Sequence, residues 1–143
     1  MMGDLEEVKN ADADACESSG NTGALMAIAP HVLKMLPGVD CPAIITAVPD
    51  RVGGSTFMLH LGAHAGCTAQ HLLQFSVMVA VAAEDILDIK RARIGLLNIG
   101  QEDIKGNEVV RKAGDLLNNS DLNYLGFFEG DSIFSGEVDV IVS

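Results

Sequence analysis

Small polar residues and glycines are concentrated between Ser18 and Gly23, immediately before a stretch that predicts a helix. A short strand is expected over residues 13–16 and a helix over 22–35, so these residues form a predicted strand-to-helix turn. Such a turn leaves backbone N–H groups open, and the partial positive charge of the helix start adds to them. The expected ligand is an anion, phosphate above all. Alternatively, the Ser, Asn and Thr side chains only cap the helix and the glycines only make the turn.

A second polar segment, residues 100–106, lies between a predicted strand and a predicted helix and contains one cation, Lys105. A lysine in such a loop can neutralise a phosphate or an oxyanion. The alternative is a solvated surface lysine, since lysine is seldom buried. Asn98, at the end of the preceding strand, either orients a neighbouring loop or is a structural amide.

Imidazole and thiolate side chains also follow one another closely in the sequence, at His60, His64, Cys67 and His71. Zinc ligands often have spacings of this kind. Ligands on a loop need a common focus, however, and sequence spacing alone does not supply one. We therefore predict no metal site and treat these histidines as incidental.

The elements that must position these loops alternate between strands and helices. Strands are expected over residues 13–16, 43–48, 56–61, 93–99, 123–128 and 138–142. Helices are expected over residues 22–35, 68–87 and 107–118, with Thr68 as an N-cap and Pro30 as a kink or early end. This alternation is typical of an α/β protein with a mainly parallel, helix-covered sheet. Ligands of such sheets gather at the carboxyl ends of the strands, where the loops 18–23, 62–67 and 100–106 are expected.

The composition narrows the class of protein. Twenty acidic and nine basic residues give a net charge of -11, which disfavours binding to nucleic acid or to anionic lipid. Three cysteines without a C-x-x-C pair indicate a reduced, cytoplasmic protein with small buried thiols. The acidic start and the short apolar runs predict neither a signal peptide nor a transmembrane segment.

Six segments have the order and approximate spacing of a known family: Asn21–Met26, Leu36–Ala43, Gln74–Met78, Gly95–Gly100, Lys105–Glu108 and Gly126–Asp131. In these segments the chain resembles PlsX, the bacterial phosphate acyltransferases that make acyl-phosphate from acyl-acyl-carrier protein. The resemblance extends from about Val8 to Ser143. It implies that residues 1–143 are a single partial domain from the centre of the family chain. The implied fold is α/β and isocitrate/isopropylmalate dehydrogenase-like.

The resemblance also implies an activity, namely transfer of an acyl group from acyl-acyl-carrier protein to inorganic phosphate in phospholipid synthesis. Phosphate is the nucleophile and the carrier-protein thiolate leaves, so no metal or redox cofactor is expected. The implied catalytic residue is Lys105. The implied phosphate-binding residues are Ser19, Gly20, Asn21, Thr22, Gly23, Asn98 and Asn107.

The partners implied by the resemblance are the acyl-carrier protein, phosphate and a second copy of the chain in a homodimer. The implied location is cytoplasmic, peripheral to the membrane. An alternative from a different class of function is a truncated, catalytically inactive remnant. Such a remnant would retain at most affinity for phosphate or for the acyl-carrier protein.

Overall fold

The chain forms two compact units, Met1–Ala43 and Ile44–Ser143. The computed structural model describes residues 1–59, 67–98 and 108–143. The first unit contains two helices, α1 (Met2–Lys9) and α2 (Thr22–Leu33). The described residues of the second form a five-stranded sheet, two α-helices and one 3-10 helix.

In the first unit, the buried side chains are Leu5 of α1, Met26 and Val32 of α2, and Cys41. The helix expected over 22–35 is confirmed to within two residues of its end. Pro30 lies inside α2, and the helix continues for only three residues beyond it. Pro30 therefore leaves one hydrogen bond unmade inside α2 without ending the helix at that residue.

The strand expected over residues 13–16 is not formed. Instead, the backbone N–H groups of Asp12 and Ala13 both donate to the carbonyl of Glu7, which extends the turn that ends α1. Alanine and aspartate also have low strand propensity. The prediction was therefore wrong because the local turn takes up the first of these N–H groups and no neighbouring strand pairs with the segment.

In the second unit, the strands stand in the order β1-β2-β5-β3-β4. They comprise β1 (Ile45–Pro49), β2 (Ser55–Leu59), β3 (Ile94–Leu97), β4 (Tyr124–Phe128) and β5 (Val140–Val142). Strand β1 is antiparallel to β2, whereas the pairs β2–β5, β5–β3 and β3–β4 are parallel. The expected mainly parallel sheet is confirmed.

Strands β3 and β5, which are neighbours inside the sheet, account for the aliphatic runs in the sequence. Neighbours on both sides and layers on both faces bury them, as expected for a parallel sheet. Fully buried side chains on β3 and β5 are Ile94, Leu96, Val140, Ile141 and Val142. The core is aliphatic at this point, as the composition indicates.

Two helices follow the carboxyl ends of β2 and β3 in the chain. They are α3 (Ala69–Leu87) and α4 (Glu108–Asn118), and a 3-10 helix (Gly130–Phe134) connects β4 to β5. Thr68 is confirmed as the N-cap of α3, because its side chain accepts the N–H of His71 at 3.2 Å. Helix α3 buries Phe75, Val79 and Ala83, which are spaced four residues apart on one face.

An ion pair joins the strand regions around β3 and β5. The Arg93 guanidinium donates to both carboxylate oxygens of Asp139, at 2.8 and 3.1 Å, and the Arg93 backbone N–H donates to Oδ2 at 2.7 Å. Burial raises the pKa of Asp139, but the hydrogen bonds and the positive charge of Arg93 together lower it by more. The pKa of Asp139 therefore lies below its ordinary value. The pair therefore favours the folded state only when Asp139 is ionised.

We expect Asp139→Asn to lower the free energy of unfolding at pH 7 by about 1–2 kcal/mol. The lower end applies because the Arg93 side chain is 43% exposed and screened by solvent. The pKa of Asp139 is lower in the folded state than in the unfolded state, where it is about 4. The ion pair therefore stabilises the folded state fully above the unfolded-state pKa, and this stabilisation is lost as the pH falls through the folded-state pKa. Urea denaturation between pH 7 and pH 2 should therefore show a shallower acid loss in the variant. Glu137→Gln, at an exposed position nearby, is the control; an unchanged acid profile in Asp139→Asn would contradict the prediction.

Candidate functional site

The residues from Ser18 to Gly23 form an exposed loop at the start of α2. The Asn21 side chain caps this helix, because its Oδ1 accepts the N–H of Ala24 at 3.0 Å. The Ser18 hydroxyl accepts the N–H of Gly20 at 3.2 Å. The capping interpretation is therefore confirmed for Asn21, whose amide nitrogen still points to no partner among the described residues.

Two backbone hydrogen-bond donors remain open at the start of α2. Within the described residues, the backbone N–H groups of Thr22 and Gly23 make no hydrogen bond. They occupy the first two positions of α2, where no intrahelical acceptor exists. Two N–H groups and the positive end of the helix are thus presented to solvent together, which is the arrangement that binds oxyanions.

The glycines of this loop are not required for a positive φ. Among the described residues four glycines have a positive φ, and neither Gly20 nor Gly23 is one of them. A β-carbon at Gly20 would meet the side chain of Met1, which is a local reason for glycine there. At Gly23, close approach of a ligand to the backbone is a physical reason for glycine.

Asn98 lies at the carboxyl end of β3 in the second unit. It is buried, and its backbone N–H donates to the carbonyl of Phe128 at 2.9 Å, which continues the pairing of β3 with β4. This backbone bond gives Asn98 a fixed position at the edge of the sheet. It belongs to the second unit, whereas Ser19, Gly20, Asn21, Thr22 and Gly23 belong to the first.

Several candidate residues lie outside the described residues: Lys105, Asn107, His60 and His64. Described elements lie on either side of them in the chain: β2 precedes and α3 follows the two histidines, and β3 precedes and α4 follows Lys105 and Asn107. In the sequence, the four residues thus come after the carboxyl ends of β2 and β3, and ligands of parallel sheets bind at such ends. The loop 18–23 does not follow a strand, so the expectation of three strand-to-helix loops is wrong for that member.

The cysteines differ in their surroundings. Cys41 is buried, and burial raises the pKa of its thiol, as does the negative charge of Asp40. Cys67 is half-buried, but Cys16 is exposed, so the expectation of three buried thiols is wrong for Cys16. Among the residues that the structure describes, no three His, Cys, Asp or Glu side chains are grouped to hold a metal ion.

A hollow in the second unit was missed by sequence reasoning. It lies between the first turn of α3 and α4, and apolar lining comes from Ala69, Val109 and Leu116. Val109 and Leu116 are seven residues apart and therefore share one side of α4. This spacing was visible in the sequence, but it did not reveal that the side faces a hollow.

None of the helices in the described ranges is both long and apolar enough to cross a bilayer.

Comparison with known proteins gives concordant matches. The model of the fatty acid synthesis protein family matches residues 1–143. The phosphate acyltransferase of Halorhodospira halophila is 55% identical over 139 residues, covering 96% of this chain and 40% of the relative. The phosphate acyltransferase of Aeromonas salmonicida is 58% identical over 139 residues, covering 96% and 41%. The chain thus spans about 40% of the length of these curated relatives.

A solved structure resembles the fold as well. The EutD phosphotransacetylase from Staphylococcus aureus superposes with a TM-score of 0.63 over 98% of this chain and 49% of that chain. At 15% sequence identity, this similarity concerns the fold alone. It supports a mixed α/β architecture with a mostly parallel sheet.

Proposed function

The chain belongs to the fatty acid synthesis protein family, and from this membership we propose that it carries out phosphate acyltransferase chemistry. The proposed reaction transfers an acyl group from acyl-acyl-carrier protein to inorganic phosphate and supplies acyl-phosphate for phospholipid synthesis. Relatives named phosphate acyltransferase, such as that of Halorhodospira halophila, support it. The observation that carries it is the exposed start of α2, where the N–H groups of Thr22 and Gly23 are open.

Phosphate binding is the first step of the proposal. The N–H groups of Thr22 and Gly23 donate to phosphate oxygens, and the helix start contributes its partial charge. The hydroxyls of Ser19 and Thr22 are exposed and add further donors. The amide nitrogen of Asn21 is also available, since the cap uses only its oxygen. Gly20 keeps the approach open.

Acyl transfer is the second step. A phosphate oxygen attacks the thioester carbonyl carbon, a C–O bond forms, and the tetrahedral intermediate then expels the carrier thiolate as the C–S bond breaks. Negative charge develops on the carbonyl oxygen, and a cation placed there lowers the barrier. We assign this role to Lys105 and assign Asn98 and Asn107 to phosphate binding.

The assembly belongs to the same proposal. We infer a homodimer because α3 exposes the large apolar side chains of Val77, Val81 and Ile86. A helix that is apolar on more than one side is usually covered on more than one side. Residues 1–143 would form a single partial domain of the isocitrate/isopropylmalate dehydrogenase-like fold, located in the cytoplasm and peripheral to the membrane.

We expect Gly23→Ala to raise the KM for phosphate about tenfold or more. A methyl group at this position stands where the phosphate oxygens must approach, and its β-carbon would lie 3.2 Å from Oδ1 of Asn21. Helix propensity favours alanine by about 1 kcal/mol, so the folded state should be retained. The assay measures acyl-phosphate formed from acyl-acyl-carrier protein at varied phosphate concentration.

Gly3→Ala is the matched control, because it makes the same change in α1, where a β-carbon meets no atom within 4 Å. Equal phosphate KM values in Gly23→Ala and the parent chain would exclude this phosphate site. If the folded parent chain binds phosphate but forms no acyl-phosphate, the chain is a catalytically inactive remnant that retains phosphate binding.

A further inference from the structure

The start of α3 depends on a hydrogen-bond acceptor that can be protonated. The backbone N–H of His71 donates to Oγ1 of Thr68 at 3.2 Å, and the backbone N–H of Thr68 donates to Nδ1 of His71 at 3.3 Å. The two residues thus form a reciprocal capping box over the first turn of the helix. In the usual form of this motif, the second side chain is glutamate or glutamine rather than histidine.

An imidazole nitrogen accepts a hydrogen bond only while it carries no proton. In neutral histidine one ring nitrogen donates and the other accepts, whereas in the imidazolium ion both nitrogens donate. Because Nδ1 of His71 accepts the N–H of Thr68, the ring is neutral in this arrangement and carries its proton on Nε2. Protonation of Nδ1 would place two donors opposite each other, so this half of the capping box is lost when the ring becomes charged.

The charge of the helix start acts in the same direction. The first backbone N–H groups of α3 give this end a partial positive charge, and a second positive charge beside it is unfavourable. Helix α3 itself carries no Asp, Glu, Lys or Arg in its first three turns. No carboxylate of this helix therefore lies close enough to offset the charge of an imidazolium ion at His71.

The elements packed against α3 add few charges near its start. From α4, Lys112 and Asp115 line the same hollow as the first turn of α3, and Lys112 pairs with Glu108. Strand β5, which also contacts α3, contains only valine and isoleucine. Cys67 directly precedes the cap, and thiols titrate in the alkaline range. Among these described groups, only His71 is of a type that changes its charge between pH 8 and pH 5.

We propose that His71 makes the start of α3 a proton-sensitive helix cap, closed while its imidazole is neutral and half-open once the imidazole is protonated. Oγ1 of Thr68 accepts the N–H of His71 in both states, so α3 still begins at the same residue. Only the N–H of Thr68 loses its partner and turns to water. Acidification thus loosens one wall of the hollow between α3 and α4 while the sheet stays intact, and the inference does not depend on the proposed acyl transfer.

Amide hydrogen exchange of Thr68, followed by NMR on the folded chain, tests this cap. The net contribution of one hydrogen bond corresponds to about a fivefold change in a local opening equilibrium. After correction for the intrinsic pH dependence of exchange, the rate at Thr68 should therefore rise about fivefold between pH 7.5 and pH 5. The amide proton signal of Thr68 should also shift over the same pH range as the imidazole signals of His71.

His71→Gln is the variant that isolates the proton, since glutamine accepts the same hydrogen bond and does not titrate. Its corrected exchange rate at Thr68 should match that of the parent chain at pH 7.5 and stay constant down to pH 5. His31→Gln is the matched control. It removes a histidine of α2 whose carbonyl, rather than its ring, accepts the Lys34 ammonium, so the rise at Thr68 should persist.

Two results would overturn the proposal. One is a corrected Thr68 exchange rate that is the same at pH 7.5 and pH 5 in the parent chain, which decides the question even if the variant does not fold. The other is a rise of equal size in His71→Gln and in the parent chain, because the loosening would then come from a group other than His71.

Discussion

Lys105→Ala is expected to lower the rate of acyl-phosphate formation by about a hundred- to a thousand-fold. Removing one group that stabilises an oxyanion typically costs this much in kcat. The loss should appear in kcat more than in the phosphate KM, because the charge that Lys105 neutralises is largest in the transition state. Steady-state assays with acyl-acyl-carrier protein and phosphate measure both constants.

Lys105 lies outside the described ranges, between the described residues Asn98 and Glu108. Before it, Asn98 is held at the carboxyl end of β3, and after it, α4 begins at Glu108. Lys90 is an exposed lysine in the turn between α3 and β3, so Lys90→Ala makes the same charge change at the opposite end of β3. The assignment fails if Lys105→Ala and Lys90→Ala both stay within threefold of the parent rate.

Gly95→Ala is expected to lower the free energy of unfolding by about 2–3 kcal/mol, toward the upper end of the range for overpacked cores. A β-carbon at Gly95 would lie 2.8 Å from Cε2 of Phe128 and still closer to Cδ2 of the same ring. The ring cannot retreat easily, because it packs against the buried cluster of Ile133, Val138 and Ile141. Urea denaturation followed by circular dichroism gives the free energy.

Gly130→Ala provides the comparison for Gly95→Ala. No atom lies within 4 Å of a β-carbon built at Gly130, so its free energy of unfolding should change by less than about 0.5 kcal/mol. Adding Phe128→Leu to Gly95→Ala should recover part of the loss, since the smaller side chain removes the ring atoms in conflict. Equal stability of the two alanine variants would contradict the prediction. It would show that β3 and β4 can move apart without a loss in the free energy of unfolding.

The local elements were predictable because their causes are local. The start of α3 follows from a threonine that can cap it, and the periodicity of Val109, Ala113 and Leu117 predicts α4. The hairpin between β1 and β2 was indicated by turn residues, of which Asp50 accepts the N–H groups of Val52 and Gly54. Strand order was not predictable, since pairings such as Phe57 with Val140 join residues far apart in sequence.

The family could be predicted from the sequence, whereas the assignment of the site residues stays a prediction. The resemblance to the phosphate acyltransferases is confirmed by the match over residues 1–143. The sequence identified Asn21 and Gly23, but only the backbone angles distinguish a glycine that a turn requires from one that leaves room for a ligand. The hollow beside α4 was missed because helical periodicity does not show which apolar side chains line a hollow.

The position of β5 in the sheet has a consequence for biosynthesis. This strand lies between β2 and β3, yet it follows the other four strands in the chain. During translation, the β1–β2 hairpin and the β3–β4 pair leave the ribosome before the strand that joins them. Until then, β2 and β3 each present an unpaired edge, the feature that exposes nascent chains to misassociation and to chaperones.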